Sequence, residues 1–164
     1  MELASYDPTW ARLYEAEVEP LTVALAPVTA VEHVGSTSVI GLAAKPTIDI
    51  AVAVPSLALP AGAVAAMERL GYHYGGDHGR PQHVFRKGER VPWQFLVHVV
   101  EHEGSMWRDF LDFRDYLRAN PTEAARYERL KRSLLAARGE WYSGRDKEPF
   151  IRPIIDARHA RTSG

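Results

Sequence analysis

The segment from His33 to Ile50 concentrates residues that can hold an oxyanion beside a cation. Gly35 allows a ligand to approach the backbone closely, and Ser36, Thr37 and Ser38 offer hydroxyls and amides to phosphate oxygens. Lys45, just before Pro46, can reach a phosphate as a point charge. Asp49 lies between Ile48 and Ile50, and a carboxylate in such company needs a partner or an ion. A divalent cation held between Asp49 and phosphate would meet that need, with Mg²⁺ the natural choice. The plainer reading is an ordinary polar turn with Asp49 satisfied locally. The spacing is not that of a P-loop, because the Gly-x-x-x-x-Gly-Lys-Ser/Thr pattern is absent.

Other chemistry-bearing residues lie further along. His98 shares a strand face with Gln94 and Leu96; it is either a ligand or base beside Asp49 or a core histidine bonded to backbone. Glu101 is a candidate third acid, the alternative being a solvated strand end. Arg114 interrupts an inward-facing helix pattern, so it either pairs with an acid such as Asp115 or Asp49 or forks onto an anionic ligand. Lys131 is either a charge on a solvated helix face or a second cation turned toward such a ligand. His33 suits a structural hydrogen bond, and His78 and His83 lack zinc spacing.

Composition narrows the field. The chain has 164 residues, a formal net charge of -1 and 46% hydrophobic residues, which predicts one globular domain over residues 1–164. Near-neutral charge argues against a nucleic-acid coater or a polybasic membrane binder. With no cysteine, disulfides, thiol catalysis and Cys-ligated metals are excluded. No basic–apolar leader opens the chain and no apolar run is long enough to span a membrane, so the expected location is cytoplasmic.

The elements that must position these residues follow from periodicity. Asp7-Pro8 starts a helix carrying Trp10, Leu13, Tyr14, Val18 and Leu21, which Pro20 kinks or ends. Thr29–Val34 reads as a strand. Thr47–Val54 is the clearest one, with Ile48, Ile50, Val52 and Val54 on a core face and Asp49, Ala51 and Ala53 on the other. Pro60–Leu70 reads as a helix stopped by Gly71. Residues 72–90 hold one short strand near His83–Lys87 in a solvated, basic hairpin. Trp93–Val100 is another strand, with Trp93, Phe95, Val97 and Val99 together. Helical periods then take over: Ser105 caps a helix ending at Asn120-Pro121, Thr122 caps one closed by Gly139, and a last runs from Pro149 to about Ala160. Strands first and helices last predict a mixed α+β domain.

Strand-end Gly35-Ser36 followed by a strand bearing Asp49 resembles the nucleotidyltransferase superfamily. There, two acids one residue apart on that strand bind magnesium; the second position here is Thr47 or Ala51, depending on which acid Asp49 represents. The chain is also similar, over almost its whole length, to the GrpB family within that superfamily. The residues carrying this likeness are Tyr6-Asp7-Pro8-Thr9-Trp10, His33-Val34-Gly35-Ser36-Thr37, Gly41-Leu42-Ala43-Ala44-Lys45-Pro46-Thr47-Ile48-Asp49-Ile50, Leu70-Gly71-Tyr72, His98-Val99-Val100, Phe113 to Arg118, Tyr127, Lys131, Tyr142 and Lys147. The resemblance implies a nucleotidyltransferase-like mixed β-sheet flanked by helices, with a helical C-terminal part. It implies a nucleotide or another phosphate-bearing small molecule at Gly35, Ser36 and Thr37, aided by Lys45, Arg114 and Lys131. Asp49 would hold Mg²⁺, and His98 or Glu101 would complete the metal shell or move a proton during nucleotidyl or phosphoryl transfer. The alternative function is a non-catalytic binding or sensor module that keeps the fold without the second acid.

Overall fold

Two apolar faces on one strand determine the architecture. The computed structural model describes residues 2–138 and 142–162. Five strands form one mixed sheet in the order β1-β2-β5-β4-β3, where β1 is Ala30–Val34, β2 Ile48–Val54, β3 His73–Gly76, β4 Gln82–Lys87 and β5 Phe95–Glu101. Strands β2 and β5 run parallel at the centre, and the other neighbours are antiparallel.

Ile48, Ile50, Val52 and Val54 of β2 and Phe95, Val97 and Val99 of β5 pack on one side against Leu21 and Leu25 at the end of α1 (Thr9–Ala24) and Met67 of α2 (Ala63–Arg69). On the other side, Ala51, Ala53 and Val100 meet Met106 and Trp107 of α3 (Ser105–Ala119). The two faces thus follow the alternation in the sequence. Helices α4 (Pro121–Arg138) and α5 (Glu148–Thr162) complete the α+β fold.

Several boundaries differ from the sequence reading. Helix α1 continues past Pro20 to Ala24. Proline removes one amide donor, yet Leu21 and Leu25 beyond it are fully buried, and their burial holds the last turn. Residues 72–90 contain two strands rather than one, and their hairpin is part of the sheet: Lys87 Nζ donates to Glu17 Oε1 of α1 at 2.8 Å. Trp93 lies before β5, not within it, with the Arg86 guanidinium over its ring. Ser105 and Thr122 are inside their helices rather than capping them; Gly104 precedes α3, and Pro121 takes the first position of α4, where its missing N–H is harmless. Gly71 closes α2 as expected, with φ +84° and its N–H donating to the Glu68 carbonyl. Gly139 lies outside the described residues.

The connection between β1 and β2 is unusually apolar, and the fold explains why. Val39 and Leu42 are buried with Leu117 and Tyr127, while Ala43 packs with Leu3, Leu135 and Tyr142. The connection is thus a packed floor beneath the C-terminal helices. Ile40 is its exception, at 83% exposed.

Candidate functional site

β1 ends at Val34, opposite Asp49 in the antiparallel register. The chain then turns sharply at Gly35, with φ +70° and ψ −172°, a conformation essentially limited to glycine. A Cβ here would overlap Asp49 Oδ2 and lie 2.9 Å from Asp49 Cγ. The carboxylate therefore sits directly on the glycine backbone, and the glycine is needed on two counts.

The hydroxyls after Gly35 have different tasks. Thr37 Oγ1 donates to the Thr47 carbonyl at 3.1 Å and lies 3.0 Å from His33 Nε2. Burial pushes the His33 imidazole down to about 4, so the ring is neutral and its Nε2–H donates to Thr37. Ser38 Oγ donates to the Gly35 carbonyl at 2.6 Å. Thr37 and Ser38 thus staple the turn. Ser36 differs, because its Oγ accepts from Lys131 Nζ at 3.1 Å.

Lys131 projects from α4 and is 1% exposed. Its Nζ also donates to the Ala43 carbonyl at 2.5 Å and lies 5.0 Å from the centre of the Tyr127 ring. Lys45 Nζ donates to the Tyr142 carbonyl at 2.7 Å and lies 4.2 Å above that ring. Lys147 approaches the Tyr127 and Tyr142 rings at 5.9 and 5.6 Å. Burial and then the neighbouring Lys147 charge pull Lys131 down to about 7 and Lys45 to about 8. Burial works against the charge of Lys147 as well, but the Tyr127 hydroxyl and the Asp49 carboxylate outweigh it, and its pKa is raised. Three cations from three parts of the chain thus share one neighbourhood with Ser36 and Asp49, an arrangement that favours polyanionic oxygen.

Of the two placements the sequence leaves open for His98, the structure has the one beside Asp49: its Nε2 is 3.6 Å from Asp49 Oδ1, and Asp49 remains 28% exposed. Glu101 is not beside Asp49. It stands opposite Val54, five residues beyond the Asp49–Leu96 pair, or about 16 Å at strand rise. Strand alternation also turns its side chain to the face opposite that of His98. Arg114 is drawn elsewhere too. Its guanidinium bonds Glu32 at 2.6 Å, Asp115 at 2.7 Å and the His33 carbonyl at 3.1 Å, taking the acid-pairing role and bracing the back of β1. Gln82, buried and bonded to His98, escaped the sequence reading, although a glutamine at the start of an apolar strand was a visible signal.

The donor set fits one cation, not two. Position 51 carries a buried methyl, and Thr47 Oγ1 is spent on the Trp93 carbonyl at 2.7 Å. No group of three His, Asp or Glu gathers among the described residues, so an ion on Asp49 would take its other oxygens from water or phosphate. A separate cleft of about 650 Å³ lies along Tyr6, His33, Thr37, Val39, Leu117 and Arg118, and neither Asp49 nor the three lysines line it. Among the described residues no helix is long and apolar enough to cross a membrane.

Fold and site together define a mixed five-stranded α+β protein with a lone carboxylate seated on a strand-end Gly-Ser turn. The chain belongs to the GrpB family, whose model, described as GrpB protein, matches residues 1–157. It is 35% identical to the glutamate-rich protein GrpB of Alkalihalophilus pseudofirmus over 94% of this chain and 93% of that one. It is 38% identical to a UPF0157 protein of Streptomyces coelicolor over 80% of this chain and 69% of that one. The crystal structure of conserved protein GrpB from Enterococcus faecalis superimposes with a TM-score of 0.83 at 32% identity, covering 99% of this chain and all of that one.

Proposed function

We propose that this chain binds a phosphate-bearing small molecule, a nucleotide foremost, at the Gly35–Ser36 turn together with a divalent cation on Asp49. The observation that carries the reading is the cluster of Lys131, Lys45 and Lys147, in which Lys131 bonds Ser36 and the Asp49 carboxylate acts on Lys45 and Lys147. Burial and then the Lys147 charge oppose the protonation of Lys131 and Lys45 there, and a polyphosphate would favour their charged forms. The Ser36 hydroxyl and the turn's amides would orient the phosphate chain, the lysines would neutralise it, and Asp49 would hold the cation against its oxygens. Mg²⁺ bound there would supply charge neutralisation and hold phosphate oxygens in place.

Transfer of a nucleotidyl or phosphoryl group is the catalytic extension of this reading. A binding or sensor role without transfer is the second one, and Ala51 favours it, since two-ion transfer depends on carboxylates bracketing both metals. Thermal unfolding with ATP, CTP and pyrophosphate, each with and without Mg²⁺ or Mn²⁺, tests the site. The expected result is a cation-dependent rise in Tm, near 2.7 kcal/mol of stabilisation at about 100 Kd, which Asp49→Asn removes. No rise with any of these ligands would sink the proposal. Labelled ATP and labelled CTP then separate the roles, because only transfer yields a modified product.

A further inference from the structure

The parallel register of β2 and β5 sets Ala51 opposite His98 and Asp49 opposite Leu96. Beside Asp49, where a second acid two positions on would project, β2 offers only the Ala51 methyl, and the neighbouring strand fills the place with an imidazole. The state of that ring can be read from its surroundings. His98 Nδ1 lies 3.0 Å from Gln82 Oε1. The Gln82 amide has its orientation set, because Nε2 donates to the Asp77 carbonyl at 3.2 Å. An amide oxygen only accepts, so Nδ1 must carry the proton. With Nδ1–H committed to Gln82, Nε2 is the nitrogen that faces Asp49 Oδ1, at 3.6 Å, and the carboxylate presents its lone pairs toward it. Such a facing pair is held together by a positive species, either a proton on Nε2 or a metal ion that takes the proton's place. Metal–ligand bonds of about 2.0–2.2 Å meeting at roughly 90–110° hold their donor atoms about 2.8–3.6 Å apart, a range whose upper end is that separation.

From this geometry we infer that Asp49 and His98 form a mixed carboxylate–imidazole site for one divalent transition-metal ion, with Gln82 as its positioning residue. The inference rests on the proposed cation at Asp49 and narrows which ion it is. Mg²⁺ prefers oxygen throughout, whereas an imidazole ligand selects ions such as Co²⁺, Ni²⁺ or Zn²⁺. Gln82 acts as the outer partner that fixes the tautomer of a metal-binding histidine. It is 6% exposed, and both ends of its amide are engaged. The Phe110 ring, 4.8 Å from the imidazole centre, limits its tilt.

Calorimetric titration of the full chain with CoCl₂ and, separately, MgCl₂ tests this. Co²⁺ is expected to bind at least about tenfold more tightly than Mg²⁺, and Asp49→Asn to abolish both. His98→Ala should erase the preference for Co²⁺ while leaving Mg²⁺ binding as it was. Gln82→Leu should weaken Co²⁺ by about 10–100-fold without altering Mg²⁺. Gln82→Glu, which still accepts the Nδ1 proton, should restore Co²⁺ binding; a merely structural Gln82 would move both ions together. In the wild-type chain, ¹⁵N spectra should show the His98 Nε2 signal shifting on addition of Zn²⁺ while Nδ1 keeps its proton, a readout independent of any variant's folding. If Co²⁺ and Mg²⁺ bind equally, or Nε2 does not move, the imidazole is not a ligand and the inference fails with the Asp49 reading intact. If neither ion binds, or Asp49→Asn binds Co²⁺ like wild type, both fail.

Discussion

Asp49 and Gly35 occupy adjoining space so closely that position 35 cannot gain a side chain while the carboxylate stands there. Gly35 combines a backbone conformation costing other residues about 1–3 kcal/mol with a carboxylate where its Cβ would go. Gly35→Ala is therefore expected to lose about 2–5 kcal/mol of stability, strain and overpacking together. Denaturant unfolding would read this as a fall in midpoint at unchanged slope, and an unchanged midpoint would refute the close approach. The residues visible beforehand, Gly35, Ser36, Lys45 and Asp49, were local in sequence or on one strand. Glu101 misled because a count along the chain says nothing about which face a strand-end acid takes. Gln82 went unread because its partner, His98, is reached only across the β4–β5 ladder.

Helix α3 shows how an element can carry a charged residue for the sheet and not for a ligand. Burial works against the Arg114 charge, while Asp115 and Glu32 more than compensate and its pKa is raised. The side chain links α3 to β1 at Glu32 and the His33 carbonyl, immediately before the glycine turn. Arg114→Met strands that carbonyl and leaves Glu32 without its cation, and should cost about 1–3 kcal/mol. If the guanidinium only braces β1, phosphate affinity of the folded variant should stay within about twofold. A tenfold loss measured by calorimetry would instead return Arg114 to the binding site. The pattern of α3 announced an anomalous arginine, but its choice of partner depended on β1 running antiparallel to β2 beneath the helix.

Stability of the molecule as a whole should record the buried lysine of α4. Lys131 titrates at about 7 in the folded chain, because burial and then Lys147 oppose its charge, against 10.5 ordinarily. Below about 7 both folded and unfolded chains hold this proton, and the full penalty of the buried charge applies. Between about 7 and 10.5 the folded chain has shed it while the unfolded chain has not, so stability rises with pH across that interval. Wild type minus Lys131→Met, followed by urea unfolding from pH 6.5 to 9.5, should show this rise; a flat difference would mean that the ammonium is not desolvated. The strands carrying Asp49 and His98, the turn at Gly35 and the helical end of the chain were legible from alternation, glycine and period, because those signals arise between near neighbours. Residues 39–44, between β1 and β2, are buried apart from Ile40 and Gly41. What covers them was not legible, nor was the clustering of Lys45, Lys131 and Lys147, with Lys131 on Ser36. Those contacts join residues about a hundred positions apart along the chain. They exist only because α4 and the segment before α5 pack onto the β1–β2 connection. The same holds for the site's second donor: β2 carries one acid, and only the parallel pairing of β2 with β5 decides that a histidine stands beside it.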